Sequence, residues 1–105
     1  MEKLQSADPA VIRAINALQA GDRKAWLAEF ADKVELLDDG APRDFARFTR
    51  EAVGAERFIS IDAVGDKGMS VHGRFHSEAW GDFTTYFRFH RGPSGRFDKL
   101  EIGQA

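Results

Sequence analysis

The chain contains no cysteine. A disulfide framework, a thiolate nucleophile and a cysteine-ligated metal site are therefore all excluded. It also lacks a strong charge of either sign: the formal net charge is −2. Nucleic-acid binding wants a basic stripe, and none is present. No apolar run approaches the ~20 residues that a membrane span requires. The opening MEKLQSADPA lacks the basic-then-apolar pattern of a secretion signal, so a cytoplasmic location is expected. Internal repeats, linkers and low-complexity segments are missing too. What remains is 105 residues, 43% hydrophobic and 30% charged. That is the composition of one soluble globular domain, large enough to bury about two thirds of its unfolded surface without staples.

The first element is announced by Asp8-Pro9, an N-cap carboxylate followed by a proline at the first helical position. Val11, Ile12, Ile15 and Leu18 form its apolar stripe, and Gly21 ends it in the left-handed slot. Asp22 then caps a second helix, predicted over 23–31, with Trp26, Leu27 and Phe30 on one face. From Val34 the period changes to two, which predicts a strand over 33–37. Val34, Leu36 and Asp38 share its inward face. Asp38 is thus either a carboxylate at a pocket wall or the polar end of a strand entering the turn Asp38-Asp39-Gly40-Ala41. Pro42 is predicted to start a third helix, with Asp44 in its first turn. Phe45, Phe48 and Ala52 form the face of that helix, and Gly54 ends it.

Four strands separated by glycine-containing turns follow, over about 57–64, 69–78, 82–91 and 96–103, as an antiparallel meander. In the third of the chain's strands, Met69, Val71, Gly73 and Phe75 share one face; Ser70, His72, Arg74 and His76 share the other. In the next, Phe83, Thr85, Phe87 and Phe89 alternate with Asp82, Thr84, Tyr86, Arg88 and His90. A three-residue loop over 79–81 predicts Phe75 opposite Thr85 and Gly73 opposite Phe87. A two-residue Ser94-Gly95 turn sets Arg88 against Glu101 and is preferred over the longer loop that sets it against Lys99. Residues 57–64 alternate ambiguously, with apolar side chains on both faces. The predicted order is α-α-β-α-β-β-β-β, an α+β fold with helices on one side of the sheet.

This order, with Ala20-Gly21-Asp22, Trp26, Phe30-Ala31-Asp32 and Gly95-Arg96-Phe97, resembles the nuclear transport factor 2-like superfamily, and within it the SnoaL-like group. The resemblance covers nearly the whole chain. It implies a cone in which a strongly curved, mainly antiparallel sheet wraps three helices and leaves a pocket. It also implies a habit of pairing through the outer sheet face. Set beside the ketosteroid isomerases of that superfamily, Asp38 falls where they carry a catalytic Asp base. Their oxyanion-hole Tyr and Asp fall at Ala14 and Thr85, so the base position matches and the oxyanion hole does not. That mismatch argues against steroid isomerisation, because those donors act where charge develops.

The expected function is binding of a small, largely apolar organic molecule. Asp38 is the candidate catalytic base of an isomerase, cyclase or lyase/hydrolase type of reaction without a cofactor. Apolar neighbours would desolvate its carboxylate and make it a better base. The expected pocket lining is Trp26, Phe30, Phe45, Phe48, Phe75, Phe83, Thr85, Phe87, Leu100 and Ile102. Thr85, the inward hydroxyl of its strand, is expected to orient a substrate oxygen. The alternative is a non-catalytic binding or dimerisation module whose cone is filled; a cavity of about 300 Å³ or more reaching Asp38 separates the two. His72 and His76 do not suggest a metal site, because four residues of strand separate them by ~13 Å. With Arg74, Tyr86 and Arg88 they make an amphipathic outer face, the expected homodimer interface. Trp80 is expected at a hairpin tip, where its indole either meets another chain or sits at a partly covered rim.

Overall fold

A computed structural model describes residues 2–105. Helices α1 (Pro9–Ala20), α2 (Arg23–Ala28) and α3 (Phe45–Ala52) accompany strands β1 (Phe30–Asp38), β2 (Ala41–Arg43), β3 (Arg57–Gly65), β4 (Ser70–Ser77), β5 (Gly81–Arg91) and β6 (Phe97–Gln104). Short 3₁₀ turns cover Lys3–Ser6 and Asp66–Gly68. The strands form one curved, mixed sheet in the order β2-β1-β6-β5-β4-β3. All its pairings are antiparallel except β1 with β6. Among the described residues no helix is long and apolar enough to cross a membrane.

The helix starts follow the local chemistry. Asp8 caps α1 by accepting from the Ala10 amide at 2.9 Å, and Gly21 ends it at φ +70°. Asp22 caps α2 through the Ala25 amide. The second helix stops at Ala28, however, and Phe30 belongs to β1, three residues before the predicted strand. The cause is non-local: Phe30 pairs with Phe97 on β6, and the Phe97 amide donates to the Glu29 carbonyl. Leu4, in the 3₁₀ turn that precedes α1, is buried against the core.

The third helix also starts later than predicted. Asp39 and Gly40 have φ of +50° and +84°. They are the two central residues of a tight hairpin closed by the Asp38–Ala41 pair, the geometry that Asp-Gly favours. Pro42 therefore lies in β2, an edge strand where its missing N–H is tolerated. Asp44, not Pro42, opens α3, accepting from the Arg47 amide at 2.9 Å.

In the meander Phe75 pairs with Phe83, and Thr85 with Gly73. The predicted register is thus wrong by two residues, because the hairpin closes at Ser77–Gly81 and its loop is 78–80. A shift of two preserves the faces: Phe75, Phe87 and Phe89 are all buried on the core side. Arg88 does pair with Glu101. The turn that sets this register runs from Gly92 to Gly95, with Gly95 at φ +87°, and a bulge at His90–Arg91 absorbs the extra residue. Irregularities at Phe58–Ser60 and Ile61–Ala63 on β3 let both Phe58 and Ile61 reach the core, which explains the ambiguous alternation there.

The aromatic core has two parts. Trp26, Phe30, Phe45, Phe89 and Phe97 pack with centroid separations of 4.7–6.4 Å. Phe48, Phe58, Phe75, Phe83 and Phe87 form the second group, joined to the first through Phe87 and Phe89.

Candidate functional site

A cavity of about 430 Å³ opens beside the second aromatic group. Its apolar lining is Phe48 from α3, Phe75 from β4, Phe83 and Phe87 from β5, and Ile102 from β6. Polar groups surround that lining: Asp38 and Asp39 at the end of β1, Arg43 from β2, Glu51 from α3, Glu56 from the α3–β3 connection and Gln104 from β6. The tip of the β4–β5 hairpin supplies Ala79 and Trp80, and the indole is 82% exposed at the rim.

Each side chain is placed by its element. Strand parity and the Asp39-Gly40 hairpin bring Asp38 to the wall. The same hairpin folds β2 back so that Arg43 reaches Asp38 at 2.9 Å and Glu51 at 3.6 Å. The Arg43 guanidinium also lies 5.0 Å from the centre of the Phe48 ring, a cation–π contact. Asp38 is therefore an ion-paired carboxylate with 37% of its side chain exposed, rather than a bare one among apolar groups. Thr85 is buried in the lining, and its hydroxyl donates to the Gly103 carbonyl. With its proton committed there, Thr85 can only accept from a ligand and cannot donate to a substrate oxygen as expected. No buried side-chain polar atom among the described residues lacks a partner.

Of the expected lining, Phe48, Phe75, Phe83, Thr85, Phe87 and Ile102 meet the cavity together with Asp38. Trp26, Phe30, Phe45 and Leu100 do not. The first three sit in the other aromatic group, where Trp26 donates its indole N–H to Thr49 Oγ1 at 3.1 Å. Leu100 is fully buried opposite Phe89.

The reading from sequence missed Glu56 and Arg43. Burial pushes the Glu56 carboxyl above the ordinary glutamate value. The Ser77 hydroxyl and Arg43 pull the other way, and Glu51 and Glu78 reinforce the rise. Its sequence context, Gly54-Ala55-Glu56, is a connection without periodicity, so nothing there marked an inward carboxylate. Arg43 was hidden by the assignment of Pro42 to a helix.

The outer face holds the groups expected there. His76 meets Asp82 at 2.7 Å, a contact that raises the imidazole above its ordinary value. Arg88 meets Asp66 at 3.1 Å and lies over the Tyr86 ring, which is itself beside His72. Arg74 is exposed on the same face.

No protein-family model matches the sequence, and none of the curated proteins does. The fold has clear counterparts among solved structures. One is an NTF2-like protein of unknown function from Cytophaga hutchinsonii, with a TM-score of 0.72 at 12% identity over 91% of this chain and 87% of that one. A second is a putative polyketide cyclase from Xanthomonas campestris pv. campestris, with a TM-score of 0.65 at 21% identity over 98% and 93%. A third is the orange carotenoid protein of Anabaena (Nostoc) binding canthaxanthin, with a TM-score of 0.66 at 20% identity. The match covers 90% of this chain but only 35% of the carotenoid protein.

Proposed function

On the frame of its nuclear transport factor 2-like fold, we propose that this chain binds a small, largely apolar organic molecule in the cavity beside Asp38. A shared fold does not by itself carry a function. The observation that carries this reading is a cavity of about 430 Å³ with an aromatic lining and carboxylates at its wall. That volume lies within the usual range for small-molecule sites. The neighbours named above include a carotenoid binder and a putative cyclase, which is consistent with an apolar guest.

In the catalytic form of this reading Asp38 is the base of a cofactor-free isomerase, cyclase or lyase/hydrolase type of reaction. Its ion pair with Arg43 then has to open when the ligand arrives, or Arg43 has to stay and hold the ligand's polar end. The same ion pair favours the second reading, a binding module without catalysis in which Asp38 positions Arg43. Thermal-shift screening with small aromatic alcohols and cyclic ketones tests the common part. A ligand at 100 times its dissociation constant adds about 2.7 kcal/mol. With a turned-over ligand in hand, Asp38→Asn should reduce turnover at least about a hundredfold while affinity persists. Unchanged turnover removes Asp38 as base.

The assembly proposed is a homodimer through the outer sheet face of His72, Arg74, His76, Tyr86 and Arg88. Light scattering should give twice the chain mass at micromolar concentration, and Arg74→Glu with Tyr86→Ala should give monomers. A dimer that survives both substitutions lies elsewhere.

A further inference from the structure

We infer that Glu56 is the proton-transfer group of this cavity, taking a proton from the bound molecule's most acidic bond. The inference rests on the cavity being a ligand site. It competes with Asp38 as the base: where Glu56 takes the proton, Asp38 holds Arg43 through their ion pair.

Glu56 is held firmly at the backbone. The amides of Ala55 and Glu56 both donate to the Ala52 carbonyl, at 3.0 and 2.8 Å, as α3 ends. The side chain meets Ser77, a buried residue at the end of β4 that also lines the cavity. The Ser77 oxygen accepts from the amides of Ala79 and Trp80, both at 3.3 Å. Its lone pairs are thus used by the hairpin turn, and its single proton is directed to Glu56 Oε2 at 3.2 Å. A neutral hydroxyl orients the carboxylate without neutralising it. Asp38 differs in kind, because a guanidinium is bonded to it.

The charged groups that face Glu56 are Arg43, Glu51 and Glu78. Burial is the chief cause of the upward shift of its carboxyl; Ser77 and Arg43 oppose it, and Glu51 and Glu78 add smaller repulsions. A carboxyl shifted upward works as a base closer to neutral pH. Glu56 also borders a second hollow of about 370 Å³, which Gln19, Gly54 and Arg57 help to line. That hollow offers a route for returning the proton to water without passing the ligand.

The probe is 5-nitrobenzisoxazole, an apolar bicycle with one acidic C–H. A carboxylate oxygen takes the proton from C3. The C–H electron pair becomes the new C–N π bond of a nitrile, and the N–O pair leaves on the phenolate oxygen. The product is 2-cyano-4-nitrophenolate, and the proton passes from the carboxyl to water. Binding is followed separately, through the fluorescence of Trp80 at the rim and through thermal shift.

The wild-type protein should give a saturable rate at least about a hundredfold above equimolar acetate. Glu56→Gln should lose at least about tenfold of that rate while still binding the probe. Glu35→Gln, an exposed carboxylate on β1, should keep the rate. The wild-type rate should rise with pH through an inflection above the ordinary glutamate range. Ser77→Ala should move that inflection further up, since it removes a hydrogen bond to the charged form. The pH profile decides the matter even if one variant folds poorly. A Glu56→Gln protein that keeps the rate overturns the inference, as does a rate lost in Asp38→Asn alone. Probe binding without acceleration overturns it while leaving the cavity as a binding site. No binding at all overturns the ligand-site reading and the inference with it.

Discussion

Glu56 ties stability to function at the scale of one residue. Its carboxyl is shifted upward in the fold, chiefly by burial. The folded state therefore holds the proton more tightly than the unfolded chain, and stability falls as pH rises from the unfolded value through the folded one. Below that window the acid is neutral in both states and burial costs nothing extra. Glu56→Gln is nearly isosteric and cannot ionise. It should raise the melting temperature at pH 7–8, with the gain vanishing near pH ~4, the ordinary glutamate range. Calorimetry across pH checks this; a gain independent of pH would mean that charge is not its cause. A stability gain on removing the carboxylate is what a stability–activity trade-off at this position would produce.

The β3–β4 pair shows what an element can conceal. Gly73 is buried, and a Cβ built on it would overlap the Ser60 carbonyl of the neighbouring strand. The irregularities of β3 press its backbone toward β4 at that point. Gly73→Ala should cost about 1–3 kcal/mol by overpacking, measured by urea unfolding with an unchanged slope. A neutral result would show that the strands can separate freely there. Most elements were legible from local chemistry: Asp8-Pro9, Gly21 and Asp22 mark their helix ends as read. The errors arose where two local signals competed or a distant partner decided. Asp39-Gly40 as a hairpin overrode Pro42 as a helix start, because the edge of β1 was free to pair. Phe30 has helical spacing from Trp26, yet pairing with Phe97 draws it into a strand.

For the whole molecule, the aromatic side chains divide between a closed core and a cavity lining. One face of the sheet carries both the closed core and the cavity lining, so helical spacing could place Trp26, Phe30 and Phe45 inside but could not say which end they fill. Phe75, Phe83, Thr85 and Phe87 line the cavity despite a register wrong by two, since that shift keeps the face. Glu56 was invisible because it lies in a connection and reaches the cavity only once α3 and β4 are packed. Proposed above is a small apolar molecule received at the open end of this cone. Amide chemical-shift mapping during titration with 2-naphthol tests it most directly. Saturable shifts are expected at Phe75, Phe83, Thr85 and Gly103 and at the Trp80 indole, with Val11, Ile15 and Leu18 in the α1 core unmoved. Shifts confined to the outer face around His72, Tyr86 and Arg88, or none at millimolar naphthol, would contradict it.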